Sequence, residues 1–196
     1  MGSPVDDAAL DTLFRTARSQ NKWLDKPVSP EQLIAIYDLM KWGPTSANSF
    51  PARIVFVTSQ ESKKRLAAIV FEGNRPKVMT APATAIIGFD SQFYDLLPRL
   101  FPHRDMRSAF VDKPEFAQVS AFRNSSLQGA YFMLAARAIG LDCGPMSGFD
   151  NEGVDREFFP GGRVKSNFIC AIGYGDPSAV FERLPRPSFS EVCEIV

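Results

Sequence analysis

The run Pro82–Phe89 (PATAIIGF) constrains the fold more than any other stretch of the chain. Apolar side chains at successive positions leave neither face of a strand for water, so both faces must be covered. Helical patterns supply the cover. Val5 to Ser19 places Leu10, Leu13, Phe14 and Ala17 at helical spacing. Ser29-Pro30-Glu31-Gln32 opens a second helix, with Ser29 as cap, Pro30 at the first helical position and Gln32 completing a capping box. Its apolar face is Leu33, Ile36, Tyr37 and Met40. Arg53–Thr58 reads as a strand, followed by a helix from about Glu61 to Phe71. Beyond an irregular excursion from Ser91 to Pro114, a long helix spans roughly Glu115 to Ile139. It carries Phe116, Val119, Phe122, Leu127, Tyr131, Leu134 and Ala138 on one side, and Gly140 is its natural stop. Cys143–Ser147 is a short strand or turn, Asn151–Phe159 a short helix, and Val164–Tyr174 the most strand-like late segment. A sheet with helices on both sides follows. The chain reads as one domain over residues 1–196, with an extended C-terminal arm at about 177–196.

Charge and rare residues exclude several function classes. Lys plus Arg total 22 and Asp plus Glu total 22, so no basic surplus exists to grip nucleic acid through its phosphates. No apolar run reaches the ~20 residues a membrane span requires. The three cysteines, Cys143, Cys170 and Cys193, are odd in number and lack C-x-x-C spacing. A reducing cytoplasm and the absence of a metal site are the expectation. The opening residues lack the hydrophobic core of a signal peptide.

His103 is the single histidine. A hydrolase would have to pair it with Ser147, yet Gly144-Pro145-Met146-Ser147-Gly148 lacks the G-x-S-x-G spacing of a nucleophile elbow. No H-E-x-x-H or P-loop occurs, and Gly173-x-Gly175 is a fragment of a dinucleotide fingerprint. What remains is chemistry in which a cofactor reacts while the protein binds and polarises it, as with hydride transfer through a flavin. Arg18-Ser19-x-Asn21, with Arg183 and Arg186 from the tail, suits a phosphate dianion. Asn74-x-x-Lys77 sets an amide and an ammonium one helical turn apart, and the Gly144–Gly148 turn can aim backbone N–H groups at a ring edge.

In combination and order these pieces resemble the FMN-dependent nitroreductase family. Arg18-Ser19-Gln20-Asn21-Lys22-Trp23 with Pro27-Val28-Ser29 is similar to its opening R-R-S-x-R-x-F…P-V-S, and Gly43-Pro44-Thr45-Ser46-Ala47-Asn48-Ser49-Phe50-Pro51 to its A-P-S-x-x-N-x-Q-P segment. Asn74-Arg75-Pro76-Lys77, Gly140 to Asp150, and Ile172-Gly173-Tyr174-Gly175 resemble its later motifs. The wording GPTSAN, SLQGAY, GLDCGPMSGFDN and VKSNF…GYGDPSA looks closest to the malonic semialdehyde reductase branch, associated with bacterial uracil breakdown.

The resemblance implies an α+β fold, a central mixed sheet flanked by helices, and a homodimer with exchanged tails and FMN at the subunit interface. It implies an NADH- or NADPH-dependent oxidoreductase that turns malonic semialdehyde into 3-hydroxypropionate, or reduces nitro or quinone acceptors. A flavin-binding protein without turnover is the alternative. By position, Arg18, Ser19 and Asn21 match the phosphate side, and either Arg183 or Arg186 the late basic contact. Pro44, Thr45, Ser46 and Asn48 match the segment a partner lays against the flavin. Asn74 and Lys77 match the pyrimidine and ribityl side. Pro145, Met146, Ser147 and Gly148 match the turn facing flavin N5. Hydride is carried by the cofactor, so no catalytic side chain is assigned, and solvent or His103 delivers the proton. Four departures stand out: Ala17 and Asn21 replace family arginines, Phe50 replaces the glutamine, and Ala52 the tryptophan. Independently, 17 phenylalanines and a proline-bearing tail imply more apolar surface than a monomer hides, which also favours a dimer.

Overall fold

A computed structural model describes residues 2–196. In chain order the elements are α1 (Asp7–Leu10), continued by a π-helical turn to Arg15, then α2 (Pro30–Met40), β1 (Ala52–Val57), α3 (Gln60–Ile69) and α4 (Arg75–Thr80). There follow β2 (Ala83–Asp90), α5 (Leu97–Leu100), α6 (Pro114–Ala138), β3 (Asp142–Met146), α7 (Asn151–Phe158), β4 (Val164–Gly173) and α8 (Phe189–Val192). The capping box of Ser29 and Gln32 forms as its residues require. Gly140, at φ 80°, adopts the left-handed conformation that ends a helix without steric cost. The N-terminal helix is shorter than expected. It stops at Arg15 because Arg18–Trp23 is drawn into sheet-like bridges, and Phe14 is left exposed.

The sheet order is β1-β2-β4-β3, and each neighbouring pair is antiparallel. The mixed sheet implied by the resemblance is therefore corrected. Among the described residues the parallel pairing is a single isolated bridge, Ser19 with Cys143. Helix α7 is about 12 Å long at ~1.5 Å per residue and packs beside the first half of β4 through Asn151 and Asp155. The chain thus re-enters the sheet at the end where β3 left it. Strand β2 is buried at all its positions, as its continuous apolar pattern demands. One face of the sheet packs Ala83, Ala85, Ile87 and Cys170 against α2 and α6. The other packs Ile86, Ile169 and Ala171 against α3, α4 and α7.

Helix α6 lies the opposite way round from its apolar pattern. Its buried face is Ala117, Ser120, Ala121, Asn124, Ser125, Gln128, Gly129, Phe132, Ala135 and Ala136. Phe116, Val119, Phe122, Leu127 and Tyr131 point outward, with Phe122 50% exposed. Small residues bring the helix axis close to the sheet: a Cβ on Gly129 would stand 2.4 Å from the Phe168 ring. Tyr37, expected on the buried stripe of α2, is likewise exposed and meets Phe50 edge-on. Three strands are tied together at one end of the sheet by Asp90, a buried carboxylate. Arg53 Nη2 (2.7 Å), Arg163 Nε (2.6 Å) and the backbone N–H of Gln92 (2.8 Å) all donate to it. Asp90→Asn is expected to cost about 3 kcal/mol, the scale of lost charge-assisted hydrogen bonds, measured as the shift in unfolding free energy in urea.

Candidate functional site

Five segments from distant parts of the sequence converge at the β3 edge. Residues 19–24 lie against it through Gln20 N donating to Cys143 O (2.9 Å) and Leu24 N donating to Tyr174 O (2.8 Å). Contact is so close that a Cβ on Gly144 would meet Gln20 O at 2.5 Å, Lys77 Cδ at 3.2 Å and Trp23 at 3.2 Å. Glycine alone permits so close an approach. Helix α4 supplies Lys77, and the residue before that helix supplies Asn74, whose Nδ2 donates to Gly148 O (2.9 Å). The same carbonyl accepts from Phe71 N (2.9 Å), so two bonds hold the Ser147–Gly148 turn against the end of α3. Phe71 itself is largely exposed beside that turn, where a Cβ on Gly148 would touch its ring at 3.0 Å.

Three polar side chains of this cluster, those of Lys77, Trp23 and Gln20, have groups without protein partners among the described residues. Lys77 is half-buried and makes no ion pair among the described residues. Burial pushes its ammonium below the usual lysine value. Trp23 Nε1 and Gln20 Oε1 are buried without a hydrogen-bond partner. A buried orphan polar atom is costly, and a ligand with matching groups relieves that cost. The cysteines offer no nucleophile here. The hydrogen bond with Cys143, together with burial, holds the Cys170 thiol well above its ordinary value and therefore protonated. All three cysteines are free.

The residues singled out in the sequence fall into three places. Arg18, Ser19, Asn21, Asn74, Lys77 and Pro145 to Gly148 are brought together around the β3 edge. Arg183 joins them, its Nη2 donating to Arg15 O (2.8 Å) and Ala17 O (3.1 Å), while Arg18 Nη2 donates to Phe181 O. Arg186 instead bonds its own neighbours, Leu184 and Pro185. Pro44, Thr45, Ser46 and Asn48 lie elsewhere, in the loop that feeds β1 on the opposite edge of the sheet. Three strand spacings, about 14 Å, separate the two edges. His103 sits in the exposed turn after α5, its ring edge-on to Phe101 at 5.7 Å, and no hydrogen bond links it to Ser147. Sequence reasoning missed Gln20, Trp23 and Phe71, because their orphaned or exposed state is a product of packing.

A family model described as the nitroreductase family matches residues 14–175. The chain belongs to that family. A protein of Stenotrophomonas maltophilia (strain K279a), provisionally named an NADH dehydrogenase/NAD(P)H nitroreductase, is 58% identical over 195 residues and 100% of both chains. A protein of the same provisional name from Rhodopseudomonas palustris (strain TIE-1) is 56% identical over 196 residues, again 100% of both. Among solved structures, a nitroreductase-like protein of Exiguobacterium sibiricum in complex with FMN superposes with a TM-score of 0.86. It is 20% identical and aligned over 100% of this chain and 99% of its own. The Bacillus subtilis protein ydfN gives 0.85 at 24% identity, over 97% and 100%. The fold is shared with both.

The tight seam between residues 19–24 and β3 can be tested directly. Gly144→Ala drives a methyl group into the Gln20 carbonyl. It is expected to lower stability by about 1–3 kcal/mol, the range for overpacking, and to release the Gln20 amide to hydrogen exchange.

Proposed function

We propose that the chain is a homodimeric, FMN-dependent NAD(P)H oxidoreductase, with the β3-edge cluster as its cofactor site. The observation that carries this reading is the half-buried Lys77, which makes no ion pair among the described residues, beside Gly144 and the turn that follows it. An anionic ligand with carbonyl oxygens suits this place, because Lys77 supplies positive charge to those oxygens. Arg18, Ser19 and Asn21 lie on the side suited to a phosphate, with Arg183 rather than Arg186 beside them. FMN, when bound, supplies a ring that accepts and returns a hydride, which no side chain here can do. Lys77 favours negative charge on the reduced ring, and Asn74 keeps the Ser147–Gly148 turn fixed against it. The proton for the acceptor comes from solvent or from His103.

The outward face of α6 supports the dimer. Phe116, Val119, Phe122, Leu127 and Tyr131 form an apolar strip along one 25-residue helix, more than a monomer leaves in water without a partner. The arm from Phe181 to Val196 is exposed throughout. Between α2, β1 and α5 lies a cleft of about 1000 Å³ that could receive it. Its lining includes Leu33, Phe50 and Ile54 together with Lys41, Arg53 and Arg99, and no acidic residue. Phe189, Val192 and Ile195 of a second copy's arm suit the apolar floor, and Glu191 and Glu194 suit the cationic rim. Malonic semialdehyde is the proposed acceptor, supported by the motif wording of the chain, with nitro and quinone compounds as alternatives.

Protein reconstituted with FMN is expected to oxidise NADH or NADPH when an acceptor is present. Stopped-flow bleaching of the flavin separates this from a flavin carrier without turnover. Relative turnover of malonic semialdehyde and a nitroaromatic then tests the acceptor. Lys77→Met is expected to weaken FMN binding tenfold or more, the equivalent of ~1.4 kcal/mol or above for a lost charged hydrogen bond, read by flavin fluorescence. Phe122→Glu is expected to shift the protein toward monomer in equilibrium sedimentation.

A further inference from the structure

The buried face of α6 carries two amides that the packing of the fold does not call for. Asn124 and Gln128, one helical turn apart, are 3% and 1% exposed among alanines and serines. Gln128 Oε1 accepts from Ala52 N (2.9 Å), and its Nε2 is buried with no partner. Asn124 Oδ1 accepts from Ser46 N (2.8 Å), and its Nδ2 donates back to Ser120 O (2.8 Å). A residue kept only to fill space would do better as Leu or Met, because a buried amide with an unmade hydrogen bond is a net loss.

Both amides grip the same loop, and that loop is strained. Ala47, Asn48 and Phe50 have φ values of 51°, 48° and 46°. Asparagine tolerates this region, whereas alanine and phenylalanine do not adopt it unless the surroundings over-determine it. Here they do. Asn124 and Gln128 hold the two ends of the loop, Asn48 Nδ2 donates to Leu100 O (2.9 Å), and Phe50 N donates to Thr45 Oγ1 (3.3 Å). Strain held in place by otherwise costly buried polar groups is the signature of a preorganised binding loop.

We infer that Asn124 and Gln128 are positioning residues that set the Pro44–Asn48 loop for contact with the cofactor bound by the other subunit. This rests on the proposed FMN site. The loop sits at the β1 edge and the cofactor cluster at the β3 edge of the same sheet, so the loop serves a neighbour's cluster. Each α6 therefore shapes a site it does not itself line, through backbone atoms of Ser46 and Ala52.

The test uses mixed dimers. In homodimers, Asn124→Leu and, as a second variant, Gln128→Met are expected to weaken FMN binding at least tenfold. Ser125→Ala loses a bond to Gly88 O from the same buried face without touching the loop, and is expected to change it less than twofold. Heterodimers are then assembled with Lys77→Met in one subunit and Asn124→Leu, or Gln128→Met, in the other. If the loop acts across the interface, both lesions fall in one site, and the other binds FMN with wild-type affinity: one tight site per dimer by fluorescence titration. Two weakened sites, or a Ser125→Ala effect equal to that of the amide variants, would overturn the inference while leaving the cofactor site standing. A wild-type dimer that fails to bind FMN would remove both.

Discussion

Helix α6 is the element on which the rest of the molecule leans. Its small and polar residues face the sheet, and that choice sets three distances at once. Gly129 lets the helix axis approach Phe168 of β4. Ser125 Oγ donates to Gly88 O beside the register shift in β2, and Asn167, the residue left over by that shift, donates to Ser126. Asn124 and Gln128 reach past the sheet to the loop entering β1. A helix packed by leucines could not come so close or hold so many backbone groups. The bulky side chains displaced from the interior have nowhere to go but outward, so the exposed apolar strip and the tight interior are two sides of one packing decision.

The cluster at the β3 edge is built by the opposite device, a seam between two stretches of backbone. Residues 19–24 dock on β3 and on the segment after β4 through backbone hydrogen bonds, and glycines at 144 and 175 make room for Gln20. Such a seam positions side chains accurately because it does not depend on their rotamers. It also leaves Lys77 half-buried without an ion pair among the described residues, and Trp23 Nε1 buried without a hydrogen-bond partner. Cofactor enzymes need few reactive side chains, which fits a chain with one histidine and with its two buried cysteines on β3 and β4, packed into the core shared with α2 and α6.

Much of the secondary structure was legible in advance. The strands read at Arg53–Thr58, Pro82–Phe89 and Val164–Tyr174 lie within about a residue of β1, β2 and β4, because their β-branched and apolar runs admit no other periodicity. The direction of α6 was not legible. Periodicity shows that a helix has an apolar side; it does not show whether that side faces its own sheet or a second molecule. The same blindness applies to Tyr37 and Phe14, which keep the spacing of a core stripe and stand exposed. Motif order singled out candidate site residues, of which the structure brings Arg18, Ser19, Asn21, Asn74, Lys77 and the 145–148 turn together at the β3 edge and leaves Pro44 to Asn48 at the β1 edge. It also separates Arg183 from Arg186, two arginines that look alike in sequence and differ only in which backbone carbonyls they reach.

By itself, then, the sequence determined the period of each element and the caps at Ser29 and Gly140. These are local properties, set by neighbours within a few residues. The antiparallel sheet, the outward face of α6, the strain in the 47–50 loop and the orphaned atoms around Lys77 were decided only in the tertiary structure. Each depends on which surfaces meet across more than fifty residues of chain, and a pattern of hydrophobicity specifies that a surface must be covered without specifying by what.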